Sequence, residues 1–427
     1  MLELNHKTVQ KALVSWSQNL QWPKYKLQSC LPVTEGCLFA FNNTNFIRVA
    51  LYFRTHIPVF RNINKGFAGV RGLWFRDEPF VGEIARFGAK GFDEGKKCLD
   101  EKLEVRKVVL ENYVRGAQNI LGFRWPTACI LGVGHENKGS SEELLSNADV
   151  LYIPQNGVIS SINLVSALAI ALHVRHVSLS KLNGRALVED SIQLKKSSDV
   201  DCESDRVPRN GDSRPIRPIL YNKPAGEVEK YIEENTVKKL YVFYENYFDQ
   251  KNLGGIIRNC NAFGVAKLFY HGRRKINRQG TVGAYKYLNI EYLSEAESVK
   301  VFSQYELWLL APAPSFEPRK DSSENTVNRN LTNDEPITTP NAVRHVYLDD
   351  ICSVKKALLQ ASKRGIILGI HQEAFPYSAD LKVNAKVMLH ICSENKDWTK
   401  NTHRGISPCT ASAIALFYLS HILLGKL

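Results

Sequence analysis

Two stretches far apart in this chain read alike, and their likeness limits the possible folds more than any other feature. TACILGVGHENKGSSEE (127–143) parallels RGIILGIHQEAFPYSAD (364–380), and GVISSINLVSALAIALH (157–173) parallels HRGISPCTASAIALFYLSH (403–421). Each pair opens on a short continuous apolar run, the mark of a parallel strand buried on both faces. In the first copy, Ile130–Val133 and Val150–Ile153 read as strands, and an apolar helix starts near Asn163. Glycines 132, 134, 139 and 157 sit where backbone must turn tightly or approach a ligand closely. The repeat sets Glu373 opposite Glu136, Ser407 opposite Ser161 and Cys409 opposite Asn163. A strand–loop–helix unit met twice predicts an internal duplication, and so two α/β domains.

A second pattern recurs upstream of each copy. In NNTNFIRVALYF, Asn42 and Arg48 stand on a stretch whose apolar residues have helical spacing, with Ala50 and Phe53 beyond. In KNLGGIIRNCNAFGV, Asn252 and Arg258 repeat the spacing, followed by Ala262-Phe263-Gly264. Arg86, ending VGEIAR, competes with Arg48 but lies close to Glu136 for the intervening strands. The boundaries that follow are a first domain at 1–176, a linker at 177–235 and a second domain at 236–427. The linker is rich in Ser, Asp, Arg and Pro, so it is expected to be largely disordered, as is an insertion at about 311–342. An amphipathic helix is expected over residues 9–20 (Val9, Leu13, Trp16, Leu20).

Composition narrows the function. A formal charge of +13 favours polyanionic partners, because bound phosphates release counterions to Lys and Arg. HGRRKINR supplies Arg273, Arg274, Lys275 and Arg278 for phosphate contacts. The nine cysteines form no C-x-x-C pair and mostly sit in apolar surroundings, which argues for reduced thiols in an intracellular protein without a zinc site. No apolar run is long enough to span a membrane. GHENKGSS lacks the residue order of a phosphate loop, and Gly132 and Gly134 lack the third glycine of a dinucleotide fingerprint. His173 and His176 read as a helix end rather than a metal pair.

Gly134, Glu136, Gly139, Asp149, Ile153, Pro154, Gly157, Ser161, Asn163 and Ala167 stand in register with the second and third motifs of one family. Over this run, and at Asn252 to Gly264 for the first motif, the chain resembles the SpoU/TrmH branch of the SPOUT RNA methyltransferases. The resemblance implies two tandem α/β trefoil-knot domains, each a parallel sheet flanked by helices, joined as an intramolecular pseudo-dimer, with further homo- or hetero-dimerisation open. It implies S-adenosylmethionine (SAM) as cofactor, rRNA or tRNA as substrate, and methyl transfer to a ribose 2′-hydroxyl. Carried over, Gly134, Gly139, Ile153, Gln155, Gly157, Ser161 and Ile162 line the cofactor site. Arg48 or Arg258, with Glu136 and Asn163, would serve catalysis, the arginine as proton acceptor or as a clamp for phosphate or alkoxide. Asn42 and Asn252 would cap helices and touch the nucleotide. In the second half His371 stands for Gly134, Pro376 for Gly139 and His403 for Gly157, so only the first half is expected to hold cofactor. The rival reading is a catalytically inactive SPOUT pair acting as an RNA-binding or ribosome-assembly factor.

Overall fold

The computed structural model describes residues 30–35, 40–55, 58–60, 105–135, 138–182, 213–247, 250–311, 343–361, 365–372, 377–392 and 406–427. The helix expected at 9–20, Arg86, Glu136, Glu373, Pro376, His403 and residues 312–342 lie outside them.

The first half builds β1 (Cys30–Thr34), α1 (Ala40–Tyr52), β2 (Val59–Phe60), β3 (Arg106–Leu110), β4 (Gln118–Asn119), β5 (Cys129–Val133), α2 (Glu142–Leu145), β6 (Asp149–Tyr152) and α3 (Leu164–Leu182). Its six strands are all parallel, in the order β2-β1-β5-β3-β6-β4. The second half builds α4 (Ala225–Asn235), β7 (Val237–Asn246), α5 (Gln250–Ala262), β8 (Val265–Gly272), α6 (Arg278–Thr281), β9 (Ile290–Tyr292), α7 (Glu295–Gln304) and β10 (Glu306–Ala311). It continues with β11 (Arg344–Tyr347), α8 (Ile351–Ala361), β12 (Ile366–Ile370), α9 (Ala379–Asn384), β13 (Ala385–His390) and α10 (Pro408–Leu423). Its sheet runs β11-β13-β10-β12-β7-β8-β9, again all parallel. Read from β8 to β11, this order matches the first sheet strand for strand, with β9 added at one edge.

The central strands are buried along their whole length, as their unbroken apolar runs require: CILGV in β5 and IILGI in β12. The two halves also share one staple. Glu35, just past β1, accepts the Ser141 N–H (2.7 Å) and hydroxyl (2.5 Å). Glu245 at the end of β7 accepts the backbone and side chain of Ser378, the matching residue. Each staple ties the end of one strand to the loop after its neighbour, which sets the mouth of the sheet.

Helices α1, α3, α5 and α10 meet between the sheets, with α3 and α5 both packed on α10. LVSALAIALH in α3 and ASAIALFYLSH in α10 are apolar on every side, a pattern that suits only a helix surrounded by protein. His173, fully buried on α3, is fixed between the halves. Its Nε2 must donate to the Ile391 carbonyl (2.7 Å), which leaves Nδ1 to accept from the Tyr418 hydroxyl (3.0 Å). The helix-end reading of this histidine becomes a buried polar tie across the junction.

The linker differs from expectation at both ends. Helix α3 runs on to Leu182, and residues 213–224 form an ordered strap followed by α4. The reason is apolar: Ile216, Leu220 and Val228 pack with Val158 into a small core that the polar composition hides.

Candidate functional site

The C-terminal ends of parallel strands are where open α/β sheets hold ligands. In the first half, loops after β3, β5 and β6 converge there. The loop after β5 folds back on itself: His135 and Gly139 exchange backbone hydrogen bonds at 2.8 and 3.0 Å. Gly139 adopts φ +73°, and a Cβ at Gly134 would meet the Ser140 nitrogen at 2.5 Å. The space beside Gly134 is therefore taken by its own loop. Glu111, after β3, receives the Ser140 N–H (2.7 Å), and burial raises its carboxyl above the usual range.

After β6, Ile153 is buried in the core, and Gln155 is nearly so. The Gln155 side-chain oxygen is buried with no hydrogen-bond partner among the described residues, and its backbone oxygen accepts Arg217 Nη1 (3.2 Å). Asn112, Tyr113, Tyr152, Ile153, Gln155 and Arg217 enclose a hollow of about 10 Å³, room for one water. The strap closes over this loop: Ser160 N–H bonds the Pro215 carbonyl (3.2 Å), Arg217 N–H bonds the Val158 carbonyl (2.8 Å), and Ile159 pairs with Ile216. The Tyr113 hydroxyl donates to the Ser160 carbonyl (2.5 Å), and burial raises its pKa.

The second half clamps the same loop. Asn156 and Gly157 N–H groups both bond the Ala262 carbonyl at the end of α5 (2.8 and 3.1 Å). Asn261 Oδ1 accepts Val158 N–H (3.2 Å) and Ile159 N–H (3.1 Å). A Cβ on Gly157 would overlap the Asn261 carbonyl, so glycine here permits the two halves to touch.

Arg258, half-buried on α5, crosses the junction. Its Nε donates to the Ser161 carbonyl (2.9 Å), and Nη2 donates to Ser161 Oγ (2.9 Å) and the Ile162 carbonyl (3.1 Å). One residue further, Asn163 accepts the Val165 N–H (2.8 Å) as the cap of α3 and donates to Asn42 Oδ1 (3.0 Å). Asn42 is thus held by Asn163, within the first turn of α1. Arg48, buried on α1, donates to Asn45 Oδ1 (3.2 Å) on its own helix. Asn252 is fully buried on α5. Arg273, Arg274, Lys275 and Arg278 are exposed after β8. The structure brings Arg258, Ser161, Ile162, Asn163 and Asn42 together. Sequence reasoning missed Glu111, Tyr113 and Arg217.

In the second half, Tyr377 fills the matching place. Its hydroxyl donates to the Leu310 (2.5 Å) and Gly369 (2.9 Å) carbonyls, and the His371 ring packs edge-on against it at 4.8 Å. Among the described residues no His, Cys, Asp and Glu group could hold a metal, and no helix is long and apolar enough to cross a membrane.

Two copies of one parallel sheet, with glycine-bearing loops gathered at the strand ends, define a tandem α/β protein. The SpoU rRNA Methylase family model matches residues 87–173, so over that segment the chain is similar to the SpoU family. No curated protein matches it in sequence. Among solved structures, the A. aeolicus TrmH/SpoU tRNA modifying enzyme is 17% identical over 47% of this chain and 86% of that one, at a TM-score of 0.30. The AdoMet-bound rRNA methyltransferase of Sinorhizobium meliloti is 14% identical over 43% and 56%, at 0.29. The SpoU methyltransferase AviRb of Streptomyces viridochromogenes in complex with AdoMet is 11% identical over 44% and 62%, at 0.30. The chain spans little more than half of the last two.

Proposed function

We propose that this chain is a SAM-dependent RNA 2′-O-ribose methyltransferase, its two halves forming an intramolecular pseudo-dimer with one working site in the first half. The observation that carries this reading is Arg258, delivered by the second half onto Ser161 and Ile162 beside Asn163. Bound SAM would supply an activated sulfonium methyl. Ile153, Gln155, Ser161 and Ile162, with the loops at Gly134, Gly139 and Gly157, would hold it. The fit in kind rests on the Gln155 side-chain oxygen, a buried acceptor that suits an N–H donor of a ligand. The fit in size requires the strap at 213–221 to yield, because small-molecule sites span about 300 Å³ or more.

Arg258 is assigned to positioning the substrate phosphate or alkoxide. A guanidinium with a pKa above about 12 keeps its proton at neutral pH and stabilises negative charge instead. Asn163, braced by Asn42, holds the start of α3, and Glu136 is assigned to the same loop support. Arg273, Arg274, Lys275 and Arg278 offer phosphate contacts to rRNA or tRNA.

The test is transfer of radiolabelled methyl from SAM to RNA, beside calorimetric titration with SAM. Arg258→Ala is expected to lower transfer about 100-fold or more while leaving SAM affinity nearly intact, and Arg48→Ala is expected to have a small effect. Unchanged transfer in Arg258→Ala would remove the assignment. The hollow of about 10 Å³ favours a second reading, an RNA-binding or ribosome-assembly factor without catalysis. RNA binding without any SAM binding would establish that reading instead.

A further inference from the structure

The strand ends of β7, β8 and β9 carry a group of rings to which the reaction above gives no task. Tyr247, just past β7, is 41% exposed. Its ring meets His271 edge-on at 5.6 Å, and His271 stacks on Tyr292 at 6.3 Å and 25°. Tyr270 packs edge-on against Tyr292 at 5.4 Å, and the Arg274 guanidinium lies over the Tyr292 ring at 4.6 Å.

The group is held in place before any ligand arrives. Gly272 adopts φ +96°, and a Cβ there would meet the Asn246 carbonyl at 2.6 Å and the Tyr247 ring at 3.2 Å. Asn246, fully buried, accepts the Arg273 N–H at its carbonyl (2.7 Å) and donates Nδ2 to the Arg273 carbonyl (2.7 Å). Its Oδ1 is buried with no partner among the described residues. Gln372 Oε1 accepts the Tyr247 N–H (2.7 Å), and His271 Nδ1 donates to the Leu293 carbonyl (2.9 Å). Tyr247 and Arg273 are thus fixed through their backbones, and both residues are exposed.

We propose that this ledge binds single-stranded RNA, with an unpaired base stacked on Tyr247 and its flanking phosphates on Arg273, Arg274 and Lys275. The inference deepens the RNA reading of the previous subsection and rests on it. Aromatic faces interleaved with cations are what unpaired nucleotides require, since every base has a π-face and every linkage a charge. A duplex hides its base faces, so the ring has value only for an unpaired strand. Glu245 is buried and already committed to Ser378, while Glu295 and Asp380 bear on the Tyr247 phenol. The anionic part of the ligand is therefore assigned to the Arg273–Lys275 side. An acidic peptide would use the same cations but gain nothing from the ring.

Fluorescence anisotropy of a labelled oligoadenylate and a labelled RNA duplex, titrated with the full chain at several salt concentrations, tests this. Tyr247→Ala is expected to weaken oligoadenylate binding roughly tenfold or more, with duplex binding and the salt slope unchanged. Tyr247→Phe should bind like the wild type, and Arg273→Ala should lower the salt slope by about one phosphate contact. A thermal melt of each variant confirms that the fold is intact. The proposal is overturned if Tyr247→Ala binds oligoadenylate as the wild type does, or loses duplex binding equally. It is also overturned if a polyglutamate peptide displaces the RNA at equal concentration. If the wild type binds neither RNA, the RNA reading falls together with the ledge; binding that survives Tyr247→Ala sinks the ledge alone.

Discussion

Consider one added methyl group at Gly157. The Cβ of Gly157→Ala would overlap the Asn261 carbonyl, which belongs to backbone at the end of α5 and has little freedom to retreat. The loop must move instead. Four N–H donors depend on its position: Asn156 and Gly157 on the Ala262 carbonyl, and Val158 and Ile159 on Asn261 Oδ1. A buried donor left unsatisfied costs about 1–3 kcal/mol. If relaxation saves half of them, the loss is about 2–6 kcal/mol. Thermal unfolding followed by circular dichroism should show Tm lowered by several degrees. Methyl transfer should fall as well, because Ser161, the anchor of Arg258, lies on the displaced loop. Gly226→Ala is the control. Gly226 lies in α4 with no atom within 4 Å of its added Cβ, so alanine there should stabilise by about 0.5–1 kcal/mol. A Gly157→Ala protein that melts with the wild type would refute the claim that this glycine exists to let the halves meet.

Three further outcomes are expected. His421 on α10 is fully buried, and burial lowers its pKa from 6.5 to about 4. The unfolded chain therefore takes up the proton first as pH falls. Stability present above pH 6.5 is lost as the pH falls toward 4, by about 3 kcal/mol from this group. Urea denaturation across that range should show a shallower decline in His421→Phe, and equal slopes would contradict the assignment. Tyr377→Phe removes the hydroxyl from the Leu310 and Gly369 carbonyls and should cost about 1–2 kcal/mol in urea denaturation. Methyl transfer should be untouched, and a loss as large as that of Arg258→Ala would place chemistry in the second half. Glu35→Ala strips Ser141 of the acceptor for its N–H and hydroxyl, so the loop after β5 should exchange its amide hydrogens faster, without a change in the second half.

The duplication was legible because it is written in local pattern: CILGV and IILGI are strands by their own composition, wherever the rest of the chain lies. The matching sheet orders follow from repeating that unit. Glycines 134 and 157 were legible as points of close approach. The approaching group, though, is Ser140 backbone at one and Asn261 backbone at the other, and no local signal tells a ligand from the chain itself. Arg258 stood out by its motif, but its landing on Ser161 depends on how α5 packs, which spacing does not encode. Arg217, Glu111 and Tyr113 left no trace in periodicity. Each acts on a loop remote in sequence, and Arg217 sits in a stretch whose polar composition masks the burial of Ile216 and Leu220.

The central helices α3 and α10 have a consequence for how this molecule can exist at all. Each is greasy around its full circumference, and each uses the other as shelter from water. A half expressed alone would carry a naked apolar rod and would precipitate or seek a substitute. Whatever freedom the ancestral units had to live apart, the present pair has lost it.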